Sequence, residues 1–429
     1  MKYAPIGKNL FIRNREKLKA RLKPKSVAIF NSNDIMPTNG DGTMPFRQNS
    51  NLLYLSGIDQ EESILLIAPD FPDPRYREVL FLKETSELIA IWEGHKYTKE
   101  EAQDTSGIET IQWKDQFERI LSTVLVESDH LYLDTNEHIR GASEVQTRND
   151  RFLLWCKEQY PLHQYERIAP VMYDLRAVKE QRETELLQQA CDITGKGFRR
   201  VLDFIKPGVW EFEVEAEYIY EFKRNRSRGF SFDPIIASGG NSCVLHYIEN
   251  NQQLKDGDIV LMDVGAEYAN YFGDMTRVVP VNGRFSERQR AVYDAVLRVK
   301  QAATEMLIAG NTLPEYNKAV GRLMEAELLD LRLIDKTDIK NQSEEWPAYK
   351  KYFMHGTSHH LGLDVHDVGS VYKSFEPGMV FTVEPGIYIP DENIGIRLED
   401  DVVITETGYI NLMADVPLDP DEIEDLMNT

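Results

Sequence analysis

The first half of the chain alternates short apolar runs with stretches of helical periodicity. The apolar runs lie at 26–30, 63–68, 79–82 and 131–133. Runs of this length, rich in branched and aromatic residues, are typical of buried strands. Because helical segments separate some of them, we expect a mixed sheet in a smaller N-terminal α/β domain.

A long amphipathic helix opens the second half. Its apolar positions recur at helical spacing from Leu186 to Ile205, and Lys206-Pro207-Gly208 ends the pattern. Further helices are predicted at about 213–224, at about 287–309 and from about 314 onward. The pattern changes between 168 and 176, so we predict one domain at 1–174 and another at 175–429.

The second half also contains strongly apolar strand patterns, at 258–264, 379–384 and 395–404. Helices that pack on such an antiparallel-looking sheet predict an α+β domain, and the chain as a whole is assigned to the α+β class.

Acidic residues interrupt these strands. Asp263 follows four apolar residues, Glu384 ends a strand pattern, and Glu399 lies between Leu398 and another apolar run. Strands are poor in such acids, and a buried carboxylate must be paired or bind a metal. Any single one could instead face solvent or end its strand, but several together favour a shared site.

The spacing of these acids is compatible with two hairpins. Asp263 and Asp274 are eleven positions apart, Glu384 and Glu399 are fifteen apart, and glycine or proline lies between the members of each pair. Four carboxylates in one pocket repel each other unless cations neutralise them. The pattern therefore predicts a pair of divalent ions, and the ligands suit Mn²⁺, Co²⁺, Fe²⁺ or Zn²⁺.

Alternate residues of a strand share one face, which defines the neighbours of these acids. Arg397, Glu399 and Asp401 are expected on one face of their strand, and Asp274 with Thr276 on one face of another.

Histidines cluster in the second half. Four of the nine lie within 354–367, namely His355, His359, His360 and His366, and His246 lies further upstream. His355 and His359 have the spacing of a zincin helix, but Gly356 occupies the place of the zincin glutamate. Taken singly, each of these histidines is more often structural than a ligand.

Net charge and cysteine content limit the kinds of binding partner and the cellular compartment to be expected. The chain has 49 Lys and Arg against 71 Asp and Glu, a formal net charge of −22. This excess disfavours nucleic acid and anionic membrane surfaces. There is no apolar window long enough to span a bilayer, and the opening residues lack the apolar core of a secretory signal. With three scattered cysteines, these features predict a reduced, cytoplasmic protein.

Five motifs together resemble the metal-dependent peptidases of the pita-bread fold, which include Xaa-Pro aminopeptidases, prolidases and methionine aminopeptidases. The motifs lie at 262–265, 273–277, 355–359, 383–386 and 396–400. The resemblance implies five metal ligands: Asp263, Asp274, His359, Glu384 and Glu399. It also implies two divalent ions, with Mn²⁺ first and Co²⁺, Zn²⁺ or Fe²⁺ as alternatives.

The aminopeptidase P branch of this family is the most similar, because the resemblance extends over nearly the whole chain. Segments 47–50 and 53–57 resemble its N-terminal domain, which methionine aminopeptidases lack, and 243–247 and 361–367 match as well. The implied activity is removal of the first residue from peptides with proline in the second position. A prolidase acting on Xaa-Pro dipeptides is the near alternative, and a non-catalytic pita-bread binding module is a remote one.

The same resemblance implies roles for single residues. Glu384 would take the proton of a metal-bridging water, and the resulting hydroxide would attack the first peptide carbonyl. His246, His355 and His366 would act in catalysis. Substrate would be bound by His246, His355, Tyr388 and Arg397, and we expect a homodimer or homotetramer.

Three positions call for separate comment. His360 stands where related bacterial enzymes often carry Trp, and Asn51 stands where some carry Asp beside the substrate entrance. Trp92 resembles a residue that in some relatives reaches into a neighbouring subunit's active site, although a core or surface role is equally compatible with the sequence.

Overall fold

The computed structural model of the chain describes residues 3–141 and 143–429. It divides into two compact units. The N-terminal unit comprises 5–176, and the C-terminal unit comprises 177–429 together with Tyr3 and Ala4.

A six-stranded sheet forms the centre of the N-terminal unit. Its strands are β1 Ser26–Asn31, β2 Ile64–Ile67, β3 Glu78–Leu82, β4 Thr110–Trp113, β5 His130–Leu133 and β6 Gln164–Arg167. Their order is β4-β3-β2-β1-β5-β6. The β1–β2 and β2–β3 pairs are antiparallel, and the β3–β4, β1–β5 and β5–β6 pairs are parallel. The predicted mixed sheet is therefore confirmed.

Helices cover this sheet. They are α1 Lys8–Lys19, α2 Ser50–Ser56, α3 Glu87–Glu93, α4 Lys99–Ser106, α5 Phe117–Leu125, α6 Arg148–Gln159 and, where the unit ends, α7 Ala169–Ala177. Apolar side chains of β1, β2 and β3 pack against the buried face of α5, which explains the apolar runs of the sequence.

The C-terminal unit surrounds its strands with six α-helices. They are α8 Gln181–Leu202, α9 Glu211–Arg224, α10 Glu287–Glu305, α11 Leu313–Asp330, α12 Lys336–Asn341 and α13 Pro420–Met427. The helix α10 ends four residues before its predicted limit. Its last turn tightens, because Met306 and Leu307 donate to carbonyls only three residues back and Gly310 then binds the carbonyl of Phe375.

All strand pairs of this unit within 177–429 are antiparallel. The strands are β7 Ile235–Ser238, β8 Ile259–Val264, β9 Glu267–Tyr268, β10 Tyr271–Phe272, β11 Met275–Pro280, β12 Val380–Val383, β13 Gly386–Ile389, β14 Ile394–Arg397, β15 Asp400–Thr405 and β16 Gly408–Asn411. They form the ladders β11-β8-β7, β12-β15-β16, β13-β14 and β10-β9. The α+β assignment of this domain is confirmed.

The strand predicted at 395–404 is in fact two strands, β14 and β15, and that expectation was wrong. The backbone N–H of Leu398 still donates to Pro385 at 3.2 Å, but that of Glu399 donates to the Thr276 carbonyl of β11 at 3.0 Å. The interruption therefore exists because Glu399 bonds to a different sheet. In residues 3–141 and 143–429, every helix is too short or too polar to cross a bilayer.

Candidate metal centre

The two aspartates lie on the hairpin formed by β8 and β11. Asp263 of β8 is opposite Thr276 of β11, and Asp274 immediately precedes β11. The sequence predicted two strands joined by a turn, and the connection contains a further small hairpin, β9–β10. A Cβ at Gly265 would lie 1.7 Å from the Gly273 carbonyl oxygen, so the strands approach this closely only because residue 265 has no side chain.

The two glutamates lie opposite each other at the interruption between two ladders. Val383 is opposite Asp400, and Gly386 is opposite Arg397, so one continuous register places Glu384 opposite Glu399. The freed backbone groups bind other segments. The N–H of Glu384 donates to the Thr357 carbonyl at 2.9 Å, which ties this hairpin to the histidine-rich loop.

His359 lies between the two carboxylate pairs. Its Nε2 is 3.5 Å from Asp274 Oδ2 and 3.7 Å from Glu384 Oε1. Its Nδ1 is 2.9 Å from the carbonyl oxygen of His360. A proton on Nδ1 satisfies that carbonyl, and we assign this tautomer, which leaves the Nε2 lone pair available to a metal.

Arg397 joins three of the site's side chains. It donates to Asp263 Oδ2 at 2.6 Å, to Thr276 Oγ1 at 3.0 Å and to the Tyr388 hydroxyl at 2.8 Å. Thr276 in turn donates to Glu399 Oε2 at 2.7 Å. Thr276 was placed on the correct face by the sequence, but its contact with Glu399 was not predicted. The signal available was its position two residues after Asp274.

The residues present fit divalent cations. Ligand atoms of Asp274, His359 and Glu399 lie within 4.8 Å of one another. Burial, followed by the charge of Asp263, raises the pKa of Asp274 well above its usual value. Burial and the neighbouring carboxylates raise the pKa of Glu399 strongly, and burial raises the pKa of Glu384 to about 7. The ionised forms therefore need positive charge beyond that of the side chains.

A buried carboxylate oxygen of Asp263 also indicates a bound cation. Oδ1 of Asp263 is buried and has no hydrogen-bond partner among the described side chains and backbone. A buried carboxylate oxygen without a donor is costly unless a cation binds it.

Of the other predicted residues, three lie close to this cluster. His355 Nε2 is 2.8 Å from the Tyr388 hydroxyl, and its Nδ1 is 3.6 Å from Glu384 Oε2. The ring of His366 is 4.4 Å from the ring of His359, edge to face. His246 is exposed, and its charge contributes, after burial and Arg397, to lowering the pKa of His355 to about 3.

Three buried ion pairs near the site were not predicted. Asp400 binds Arg277 and Lys300, and Arg277 also donates to the carbonyl of Glu399 at 2.5 Å. Lys179 and Asp367, each with a side chain 1 % exposed, pair at 3.0 Å. The backbone N–H of Asp367 donates to the His360 carbonyl at 2.9 Å, so the Lys179–Asp367 pair fixes the loop that carries the histidines.

The three positions singled out earlier differ in their surroundings. Asn51 is buried in the N-terminal unit, where it donates to Asp134 at 2.9 Å and accepts from Arg176 at 2.8 Å. His360 is buried against the ring of Phe381. Trp92 is 81 % exposed on α3, so a core role is excluded for it within this chain.

Comparison with known proteins places this arrangement in context. Residues 185–406 match the model of metallopeptidase family M24, and residues 11–132 match the aminopeptidase P N-terminal domain. The chain is 35 % identical to the Xaa-Pro aminopeptidase of Haemophilus influenzae, over 99 % of this chain and 98 % of that protein. It is also 35 % identical to the Xaa-Pro aminopeptidase of Escherichia coli, over 98 % of both.

Solved structures give the same result. Aminopeptidase P from Escherichia coli with the inhibitor Pro-Leu is 34 % identical, with a TM-score of 0.88 and 99 % of both chains covered. Proline aminopeptidase P II from Yersinia pestis is 34 % identical, with a TM-score of 0.87, over 98 % of this chain and 99 % of that one.

Proposed function

The chain belongs to metallopeptidase family M24, and from that premise we propose that it removes the first residue from peptides whose second residue is proline. It is a metal-dependent aminopeptidase. The observation that carries this proposal is the convergence of Asp274, His359 and Glu399 on one point, with Asp263 and Glu384 adjoining it. This convergence favours an enzyme over a non-catalytic binding module, which would have no need of these ligands.

The proposed ligand set is that of the sequence-based prediction: Asp263, Asp274, His359, Glu384 and Glu399. We propose two divalent ions, Mn²⁺ first, because four carboxylates carry enough negative charge for a pair and the imidazole adds a neutral nitrogen ligand. When bound, such ions lower the pKa of a water and polarise a carbonyl. A zinc-substituted Escherichia coli aminopeptidase P with product is among the similar structures, which supports divalent metals as a class.

The side chains then divide the remaining work. Glu384 accepts the proton of the attacking water, since a carboxylate in reach of the reacting centre can serve as general base. His366 or His246 donates a hydrogen bond to the oxygen of the carbonyl under attack. His355, held by the Tyr388 hydroxyl at 2.8 Å, contacts the proline residue. Arg397 orients Asp263 through its 2.6 Å ion pair.

A chelation and add-back assay tests the proposal. The enzyme is treated with chelator and then supplied separately with Mn²⁺, Co²⁺, Zn²⁺ or Fe²⁺, and cleavage of an Xaa-Pro-Xaa tripeptide is compared with cleavage of an Xaa-Pro dipeptide. We expect loss of activity on chelation, recovery with Mn²⁺, and preference for the tripeptide. A strong preference for the dipeptide would instead favour a prolidase, and chelator-resistant cleavage would refute the metal centre.

The domain bounds, the substrates, the oligomeric state and the location of the protein complete the proposal. We propose domains at 1–174 and 175–429, which the two compact units support. Peptides with an N-terminal Xaa-Pro are the proposed substrates. A homodimer or homotetramer and a cytoplasmic location remain predictions.

A further inference from the structure

A cavity lies beside the metal ligands in the C-terminal unit. It has a volume of about 780 Å³, and His355 and Thr357 form part of its wall. Both of these residues contact Glu384: His355 through Nδ1 at 3.6 Å, and Thr357 through a carbonyl that accepts from the Glu384 N–H at 2.9 Å. Residues of the cavity wall are therefore in direct contact with Glu384, a proposed metal ligand.

The opposite wall is the helix α11. Asn317 of this helix accepts a hydrogen bond from the Thr357 N–H at 3.0 Å, which fixes the wall to the histidine loop. A Cβ at Gly321 would lie 2.6 Å from the ring of Tyr349, so the helix and the segment 348–351 are in direct contact there. Such a close approach makes the cavity a built feature of the fold, because its two sides are held by specific contacts.

Cationic side chains line this wall at neighbouring positions. Lys318 and Arg322 are one helical turn apart, both are exposed, and neither forms an ion pair with any residue in 3–141 or 143–429. Arg322 does not pair even with Glu325, which lies three residues on and also lines the cavity. Two like charges at this spacing destabilise a helix slightly. They also stand out as a pair of positive charges in a chain whose formal net charge is −22.

The rest of the charged lining consists of one cation, Lys350, and two carboxylates, Glu325 and Glu344. Lys350 donates to the Glu345 carbonyl at 3.2 Å and lies over the ring of Trp346, and Glu344 supplies a second carboxylate. The cations available to a ligand are thus those of α11.

From this arrangement we propose that the cavity binds the part of the peptide that follows proline, and that Lys318 and Arg322 bind a carboxylate there. The inference rests on the proposed aminopeptidase activity and names its substrate class: peptides with an acidic side chain or the chain's own carboxyl terminus a few residues beyond proline. Three extended residues span about 10 Å, which carries a peptide past His355 into a cavity of this size.

Peptide cleavage by the Mn²⁺-loaded enzyme tests the proposal. The substrates are Ala-Pro-Ala-Gln-amide, Ala-Pro-Ala-Glu-amide and Ala-Pro-Ala-Gln with a free carboxyl terminus. We compare the wild type with the double variant Lys318→Gln/Arg322→Gln, in which Gln preserves helix propensity. The double variant Lys206→Gln/Lys255→Gln is the control, because it removes the same charge from exposed positions that do not line the cavity.

For the wild type we expect a preference of roughly three- to tenfold in kcat/KM for the peptides with a carboxylate over the neutral amide, expressed in KM. The Lys318→Gln/Arg322→Gln variant should lose this preference and cleave the neutral peptide normally, whereas the control should keep it. Preference for the Glu-amide peptide assigns the side chain as ligand, and preference for the free acid assigns the terminus.

Three outcomes overturn the inference: no preference in the wild type, a preference that survives in the double variant, or an equal loss in the control. If the wild type cleaves none of the peptides, the proposed activity fails instead. Calorimetric binding of the same uncut peptides to wild type and variant then decides the cavity's ligand by itself.

Discussion

Three consecutive acids, Glu399, Asp400 and Asp401, have three different surroundings. Glu399, a proposed metal ligand, accepts from Thr276 and lies beside Asp274 and His359. Although burial opposes ionisation, Arg277 and Lys300 hold the pKa of Asp400 below its usual range. Burial and the charge of Asp274 raise the pKa of Asp401, which accepts from the backbone N–H of Asp274 at 2.9 Å. Residue type alone therefore does not define the role of a carboxylate; its partners do.

The first prediction concerns Glu384. Replacement by alanine removes both a proposed ligand and the proton acceptor, so we expect Mn²⁺-restored turnover to fall by at least about a hundredfold, with the unfolding midpoint of the chelator-treated chain little changed. Steady-state kinetics and urea unfolding measure the two effects. Glu406→Ala, at an exposed position after β15, is the control. Retained activity in Glu384→Ala would mean that the catalytic centre lies elsewhere.

The second prediction concerns pH and the N-terminal unit. Asp134 is buried, and burial raises its pKa to about 6, although Asn51 and Asn149 donate to its oxygens. Between about pH 4 and 6 the folded state keeps this proton while the unfolded state loses it. The free energy of unfolding should therefore fall as pH rises through that window, by about 3 kcal/mol from this residue.

Hydrogen exchange of peptides covering β1 and β2, measured on either side of the window, reports this change within the intact chain. In Asp134→Asn the pH-dependent component should be absent, whereas Asp104→Asn, at an exposed position, should retain it. Equal pH dependence in Asp134→Asn and wild type would disprove the assignment.

At the scale of elements, the site depends on how hairpins approach each other. One hairpin carries the aspartates and another carries the glutamates, and the Glu399 N–H to Thr276 carbonyl bond joins them. Each hairpin is a local structure that its own sequence can specify through register and turn residues. Their mutual placement depends on that backbone bond and on side-chain contacts between the hairpins. Arg397 donates to groups of β8 and β11, and Arg277 of β11 binds Asp400 of β15.

The third prediction follows from the close approach at Gly265. The added methyl group of Gly265→Ala would collide with the Gly273 carbonyl oxygen and force β8 and β11 apart. Since misplacing a site by about 1 Å can cost a hundredfold, we expect metal affinity and kcat/KM to fall by at least about tenfold, although no ligand is changed.

Metal titration followed by calorimetry measures this effect. Gly356→Ala is the control for metal affinity, because its methyl group would meet only Asn317 Oδ1 at 3.9 Å. Unchanged affinity in Gly265→Ala would show that the strands tolerate a wider separation.

At the scale of the whole molecule, the two compact units have separate cores, and only the C-terminal unit contains the proposed metal ligands. All five proposed ligands lie in the C-terminal unit, whereas the six-stranded sheet belongs to the N-terminal unit. Bound ions that relieve repulsion among buried carboxylates stabilise only the fold that holds them.

The fourth prediction is that chelation destabilises one unit selectively. At a metal concentration about a thousand times the dissociation constant, removal should lower the free energy of unfolding of the C-terminal unit by about 4 kcal/mol. Hydrogen exchange should accelerate in β8 and β11 and stay unchanged in β1, and Mn²⁺ should reverse the change. Equal acceleration in both units would show that the effect is not local to the site.

The amino-acid sequence by itself predicted several of the strands, the mixed sheet and the candidate carboxylates, and its resemblance to a known family added His359 to the ligand set. A short run of apolar residues is a local property, and acids that interrupt such a run stand out in sequence alone. The same local signals read 395–404 as one strand, because alternation records which face a residue occupies and not which strand lies opposite.

Only the tertiary structure decided which groups the buried charged residues bind. The break at Glu399, the ion pair of Lys179 with Asp367 and the division of labour between Asp400 and Asp401 all depend on residues more than a hundred positions away. In a folded chain the free energy of a buried charge depends on which groups surround it, and those groups come together only when distant segments pack.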